Sequence, residues 1–142
     1  MLLLSLSLLL AAEPPAAVVI RGHTAPEHAI LDGRGFARLL LGPDQGVKEA
    51  SMAFLLLDPG AAWPAHVHEH SAELLYLLEG TLSVTLGDRT LIAHRGDAIY
   101  IPADASFSAR VLSKLMPVEA LQVFVGPGPE RGYRQGPRLE GD

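Results

Sequence analysis

The chain has 142 residues, of which 49% are apolar and 19% charged, and it carries a net charge of −5. This length and composition fit one folded domain with a hydrophobic core and exclude a disordered chain. Lys and Arg are scattered singly, which excludes a protein whose main partner is nucleic acid, because phosphate binding needs a clustered basic footprint. The chain has no Cys, so disulfides, thiolate metal sites and cysteine nucleophiles are excluded as well.

Residues 1–17 are predicted to be a signal peptide or leader. Residues 1–12 read MLLLSLSLLLAA, an apolar run with the length of a signal-peptide core and too short to span a bilayer. Alanines at positions 11, 12, 16 and 17 offer a cleavage region, although no Lys or Arg precedes the run. The alternative is a buried N-terminal helix or strand in a cytoplasmic protein. We expect a periplasmic or secreted protein with no stable membrane span after the leader is removed.

Residues 18–125 are predicted to form a single all-β domain. After Gly35, short apolar runs end at turn residues, and the pair Gly87-Asp88 predicts a two-residue β-hairpin. Eight strands are predicted: Phe36–Leu41, Ser51–Leu57, Ala72–Leu78, Thr81–Leu86, Arg89–His94, Ala98–Ile101, Ser106–Leu112 and Val118–Val125. This spacing favours a sandwich or small barrel. Residues 126–142 are rich in Gly and Pro and are predicted to be a surface tail.

The strongest chemical signal is a cluster of His66, His68, His70 and Glu73. Along a strand, His66 and His68 share one face with Cα atoms about 6.6 Å apart, so both imidazoles can reach one metal ion. If Glu73 points inward with the alternate leucines of its strand, its burial costs several kcal/mol unless it is paired or metal-bound. The alternative is that the histidines lie in a solvated turn and that Glu73 begins an exposed face.

Residues 60–80 resemble the first conserved motif of the cupin superfamily, G-x5-H-x-H-x3-4-E-x6-G. Gly60, His66, His68, Glu73 and Gly80 occupy its fixed positions. The second cupin motif, G-x5-P-x-G-x2-H-x3-N, is matched in part, by the glycine and proline at positions 96 and 102. Aspartate 104, phenylalanine 107 and valine 111 stand where that motif has Gly, His and Asn.

The resemblance implies an all-β double-stranded β-helix, that is, a cupin or jelly-roll barrel. It also implies a divalent metal ion (Fe, Mn, Ni, Cu or Zn) held by His66, His68 and Glu73. The fourth ligand of the family is missing, because Phe107 cannot bind a metal. His70 has the parity to join the other histidines, but in cupins its position usually falls in a turn. His94 is predicted to lie on the surface.

Two functional hypotheses follow from the resemblance, and neither assigns a catalytic residue. The first is a metal-binding cupin with a pocket for a small carbonyl or phenolic compound, which leaves open whether it is an enzyme. The second is a non-catalytic ligand-binding or sensor cupin that has lost its metal. Either is compatible with a homodimer formed through an apolar outer face that contains Leu74, Tyr76 and Leu78.

Overall fold

The protein is described here by a computed structural model that covers residues 16–140. Except for residues 16 and 17, the predicted leader lies outside this range. Within it the chain forms eleven strands: β1 (Glu27–Ala29), β2 (Gly35–Leu41), β3 (Ala50–Leu57), β4 (Ala62–Val67), β5 (Ala72–Glu79), β6 (Thr81–Leu86), β7 (Arg89–His94), β8 (Ala98–Ile101), β9 (Ser106–Val111), β10 (Val118–Val125) and β11 (Arg138–Leu139). Four short 3₁₀ helices occupy Gly22–Thr24, Leu31–Gly33, Pro43–Gln45 and Pro129–Gln135.

The strands form two antiparallel sheets that enclose one core. The larger sheet has the order β11-β1-β2-β3-β10-β5-β8, and the smaller has the order β4-β9-β6-β7. This arrangement is the double-stranded β-helix that the resemblance implies, and it is one of the sandwich and barrel folds that the strand spacing favours. All eight predicted strands are confirmed within a residue at either end, and β6 and β7 pair as a hairpin with Leu86 opposite Arg89.

The core follows from the alternation of side chains along the strands. In β3 every second residue is buried, and β5 and β10 repeat this pattern next to each other in the same sheet. Leu55 and Leu77 are almost completely buried, and Val84 of the opposite sheet is also in the core. Because the inward faces of β5 and β10 adjoin, any polar residue at an inward position of these strands lies in the barrel interior.

Gly80 closes the turn between β5 and β6, and only glycine fits there. Its φ is 85°, and a Cβ atom would lie 2.6 Å from the Pro117 carbonyl oxygen and 2.9 Å from the Val118 Cγ2 atom. Glycine accepts this left-handed conformation without strain and leaves room for the neighbouring backbone. The last position of the sequence motif therefore has a steric explanation.

The two ends of the described chain differ from their predictions. A short strand between residues 17 and 21 is a further expectation from the apolar run that follows Pro15, but the first strand of the described residues is β1, which contains His28. The segment 126–142 was predicted to be a surface tail, yet it contains the 3₁₀ helix Pro129–Gln135 and strand β11, which pairs with β1. Glu130 of this segment is buried, and Tyr133 packs against the core. We call residues 129–139 the C-terminal strap.

No helix within residues 16–140 has both the length and the apolar character needed to cross a membrane.

Candidate metal and ligand site

The three predicted ligands line one cavity inside the barrel. His66 lies on β4, His68 follows that strand, and Glu73 lies on β5 of the opposite sheet. All three side chains border a cavity of about 120 Å³ between the sheets. Of the two directions that the sequence left open for Glu73, the structure has the inward one, because Glu73 is 4% exposed whereas the next residue, Leu74, is 40% exposed.

Glu73 and His68 form a close pair. The Glu73 Oε2 atom lies 3.1 Å from the His68 Nε2 atom. The contact lacks hydrogen-bond geometry, so Oε2 is a buried carboxylate oxygen without a hydrogen-bond partner. A buried carboxylate oxygen of this kind is unfavourable unless a cation or a proton lies against it. The free oxygen thus faces an imidazole nitrogen, which is the donor set that a divalent metal prefers.

The other oxygen of Glu73 is fixed by a chain of hydrogen bonds. The Gln122 side-chain amide donates to Glu73 Oε1 at 2.6 Å, and the Tyr133 hydroxyl donates to Gln122 Oε1 at 2.8 Å. Because a carboxylate only accepts, the NH₂ group of Gln122 faces Glu73, and its Oε1 atom is left to accept the tyrosine proton. Such a chain of hydrogen bonds orients a carboxylate through one oxygen, here Oε1, while the other, Oε2, stays free.

Tyr133 stays protonated in this position. Burial raises the pKa of its hydroxyl well above the ordinary value, and the negative charges of Glu73 and Glu130 raise it further, while the hydrogen bond with Gln122 lowers it. A neutral phenol donates a hydrogen bond and does not accept a proton at physiological pH. Tyr133 is thus a positioning residue for Gln122 and is unsuited to act as a general base.

One ring nitrogen of His66 is engaged by the backbone, and the residue borders the cavity. Its Nδ1 atom lies 2.8 Å from the Pro64 carbonyl oxygen. Because a carbonyl only accepts, Nδ1 carries the proton and the lone pair remains on Nε2. A hydrogen bond to a backbone carbonyl commonly selects the metal-binding tautomer of histidine in this way.

Phe107 occupies the position at which the cupin motif has its second-motif histidine. Its ring centroid lies 4.4 Å from that of His66 and 5.5 Å from that of His68, and His66 faces Phe107 across the β4–β9 pair. The side chain is 4% exposed, so it fills one side of the site with an apolar ring. This agrees with the missing fourth ligand noted in the sequence.

The remaining histidines stay outside the cavity. His70 is exposed in the turn before β5, with φ of 58°, and its backbone N–H donates to Asp104 Oδ1 at 2.9 Å. His94 is exposed beside Asp97, as predicted. Among residues 16–140, no three His, Asp or Glu side chains are already arranged to hold a metal ion. Joint coordination by the predicted ligands would therefore require side-chain movement.

The sequence analysis missed Gln122 and Tyr133. Gln122 carried a signal, because it is the polar residue at an inward position of β10, between Ala120 and Phe124. Tyr133 carried none, because it lies in a Gly- and Pro-rich segment without strand periodicity.

Comparison with known proteins decides the family. A sequence model described as the cupin domain matches residues 53–124, which is half of the chain. The chain belongs to the cupin family. The matched range contains both motifs and ends at Phe124, so the cupin domain carries His66, His68, Glu73 and Gln122, whereas Tyr133 of the strap lies beyond it.

Two curated relatives resemble this cupin over different shares of their length. Tetracenomycin polyketide synthase protein TcmJ of Streptomyces glaucescens is 29% identical over 127 residues, which cover 83% of this chain and 78% of the relative. Mannose-1-phosphate guanylyltransferase 2 of Escherichia coli O157:H7 is 31% identical over 83 residues, which cover 58% of this chain. The cupin spans only 17% of that guanylyltransferase.

Solved structures share the fold at low identity. KdgF from Halomonas sp. superposes with a TM-score of 0.70 at 16% identity, over 82% of this chain and 99% of that structure. The polyketide cyclase RemF from Streptomyces resistomycificus superposes with a TM-score of 0.67 at 21% identity, over 80% and 82% of the two chains. At these identities the likeness shows the barrel fold alone.

The substitution Tyr133→Phe tests the hydrogen-bond chain. At neutral pH we expect it to lower the free energy of unfolding by about 1–3 kcal/mol, because the buried Gln122 oxygen loses its donor. The folded-state pKa of Tyr133 is raised. Above about pH 10 the unfolded state therefore releases this proton while the folded state keeps it, and the free energy of unfolding falls as pH rises. That alkaline fall should be smaller in Tyr133→Phe.

Urea unfolding between pH 7 and 11 measures both effects. Tyr100→Phe is the matched control, because Tyr100 is 64% exposed and should behave like the unchanged protein. An alkaline fall of the same size in Tyr133→Phe and in the unchanged chain would contradict the assigned role of Tyr133.

Proposed function

We propose that this cupin binds one divalent metal ion through His66, His68 and Glu73 and presents it to a small carbonyl or phenolic compound in the barrel. The observation that carries the proposal is the buried Glu73 Oε2 atom, which lies 3.1 Å from His68 Nε2 and has no hydrogen-bond partner. Two imidazoles and a carboxylate suit Fe, Mn, Ni, Cu or Zn. When bound, such an ion supplies Lewis-acid chemistry toward an oxygen atom of the ligand.

The inner cavity has room for about one ring of a bound compound. Its volume of about 120 Å³ is slightly below the roughly 150 Å³ of an engineered cavity that holds benzene. Its walls are mainly apolar, with leucines 55, 57, 75 and 82 among them. The polar groups are concentrated on one side, at the His–Glu–Gln cluster. A planar apolar ring with an oxygen substituent directed toward that cluster matches this division.

The polyketide relative TcmJ agrees with a ligand of this kind better than the guanylyltransferase does. Among the described residues, no Lys or Arg lines the cavity. Phosphate groups are normally bound by Arg, Lys or helix N-termini, so a sugar phosphate lacks its usual partners here. We therefore extend to this cupin the polyketide chemistry that the name of TcmJ gives, and not the sugar-nucleotide chemistry.

A metal-free ligand-binding cupin is the second candidate. It is favoured by the absence of a ready-made three-ligand cluster among the described residues. In that protein Phe107 would replace the fourth ligand by an apolar wall. Ligand binding by metal-depleted protein at undiminished affinity would favour this candidate.

Elemental analysis of the purified protein tests the metal site. We expect close to one divalent ion per chain, and at least a tenfold lower occupancy in His66→Ala, His68→Ala and Glu73→Gln, because each loses one of three ligands. His70→Ala and His94→Ala are controls at exposed positions and should keep the ion. Full occupancy in Glu73→Gln, or thermal stability that ignores added Fe, Mn, Ni, Cu and Zn, would exclude the site.

The substitution Phe107→His tests the geometry by gain of affinity. The Phe107 ring lies 4.4 Å from the His66 ring and 5.5 Å from the His68 ring. An imidazole at this position can add a fourth ligand, and we expect metal binding at least about tenfold tighter. Phe107→Leu is the control that keeps an apolar side chain. Equal affinity in both variants, measured by competition with a chelator, would place the metal elsewhere.

We also propose a homodimer formed through the outer face of the larger sheet. Leu74, Tyr76 and Leu78 project outward from β5 and are partly exposed, and Tyr100 of β8 pairs with Leu74. Light scattering should give the mass of two chains, and Tyr76→Asp should give that of one. A single-chain mass for the unchanged protein would contradict the dimer.

Export is proposed from the leader alone, and mass spectrometry of the N-terminus of periplasmic or secreted protein tests it.

A further inference from the structure

Two separate spaces meet at a pair of aromatic side chains. The inner cavity of about 120 Å³ contains the His–Glu cluster, and an outer groove of about 810 Å³ lies between the strap and residues 29–33. Trp63 and Tyr133 line both spaces. The inner cavity is smaller than the roughly 300–1,000 Å³ of ordinary small-molecule pockets, whereas the groove lies within that range.

The strap forms one wall of the groove, and contacts with barrel residues hold it in position. Glu130 is buried, and its Oε2 atom accepts hydrogen bonds from Ser51 Oγ at 3.1 Å and from the Gly128 backbone N–H at 2.6 Å. Arg134 forms an ion pair with Asp44. These contacts hold the 3₁₀ helix against the barrel and keep Tyr133 at the boundary between the two spaces.

The facing wall is a tight turn. Leu31 and Asp32 have left-handed backbone conformations, with φ of 52° and 54°. A non-glycine residue rarely adopts this conformation unless the surroundings impose it, and such residues concentrate at ligand sites. Between the strap and this wall, the Ala29 carbonyl oxygen approaches the Gly136 backbone so closely that a Cβ atom on residue 136 would lie 1.8 Å from it.

Of the two aromatic side chains at this boundary, Trp63 is the one that can move to admit a ligand. It lies on β4, an edge strand of the smaller sheet, beside a register shift between Trp63 and His66. Its side chain is half-buried, whereas the Tyr133 hydroxyl is tied to Gln122. An edge strand next to an irregular register is less constrained than a central strand.

The chemistry of the groove excludes strongly anionic ligands. Among the described residues that line it, Asp32 is the charged one, and neither Lys nor Arg takes part. The other lining groups are aliphatic side chains, glycines, one amide side chain and the two aromatic rings. Aromatic walls with an acidic rim favour a flat, uncharged ligand over a phosphate or carboxylate.

We propose that the groove is a second compartment of the ligand site and holds the body of a planar fused-ring phenol or ketone. The terminal oxygen-bearing ring of this ligand passes Trp63 into the inner cavity, and the remaining rings lie between the strap and residues 29–33. The inference rests on the proposed function for the inner cavity and adds the substrate class, a compound of two or more fused rings. One ring fills the inner cavity, and the groove adjoins that cavity at both Trp63 and Tyr133, so it offers room for the further rings.

The experiment compares a one-ring and a three-ring probe, catechol and 1,8-dihydroxyanthraquinone. Their affinities are measured by titration calorimetry, with the fluorescence of Trp63, the single tryptophan of the chain, as a second readout. Gly132 lines the groove, and a Cβ atom at this position meets nothing within 4 Å, so Gly132→Phe fills the groove without a clash at Cβ. Arg131→Phe is the matched control, because Arg131 is the exposed neighbour and lines neither space.

We expect Gly132→Phe to weaken binding of the three-ring probe by at least about tenfold and to leave catechol binding unchanged. Arg131→Phe should change neither affinity. Unchanged affinity of the three-ring probe in Gly132→Phe, or an equal loss for both probes, would overturn the second compartment.

Metal content measured on the same samples separates this inference from the proposed function. If the protein holds metal but Gly132→Phe does not selectively weaken binding of the three-ring probe, the second compartment is overturned and the metal site stands. If the protein holds no metal but Gly132→Phe weakens only the three-ring probe, the compartment is supported and the metal site is overturned.

Discussion

The buried carboxylate of Glu73 is the constraint on which the rest of the site depends. It lies on the inward face of β5, where the next inward residues are Leu75 and Leu77, and an isolated charge there would be strongly unfavourable. One oxygen is held by Gln122, and the other faces His68 without a hydrogen bond. Strands β10 and β5 therefore fix one oxygen of the carboxylate and leave the second without a hydrogen bond.

The support extends from the carboxylate to the surface of the protein. Tyr133 orients Gln122, Glu130 anchors the 3₁₀ helix that carries Tyr133, and Ser51 of β3 completes the anchor. The same tyrosine forms part of the boundary between the inner cavity and the outer groove. The orientation of the Glu73 carboxylate and the boundary between the inner cavity and the groove thus both depend on one segment, the strap.

Much of the barrel could be predicted from the sequence, because antiparallel strands with alternating burial leave a local pattern. The eight predicted strands and the hairpin at Gly87-Asp88 rested on alternation and turn residues, which act over a few positions. Alternation left the direction of Glu73 open, and only the resemblance to the cupin motif implied that it points inward. The strap could not be predicted in this way. Its order comes from contacts distant in sequence, such as Ser51 with Glu130 and β1 with β11. Gly- and Pro-rich sequence carries no periodicity that reports such contacts.

The central claim is that His66, His68 and Glu73 together hold a metal ion. Anomalous diffraction from crystals of the protein incubated with Zn²⁺, recorded on both sides of the zinc absorption edge, tests it most directly. The account predicts one strong peak within bonding distance of both imidazoles and of the Glu73 oxygen that faces His68. A cavity without such a peak, or a peak at His70 or His94 instead, would contradict it.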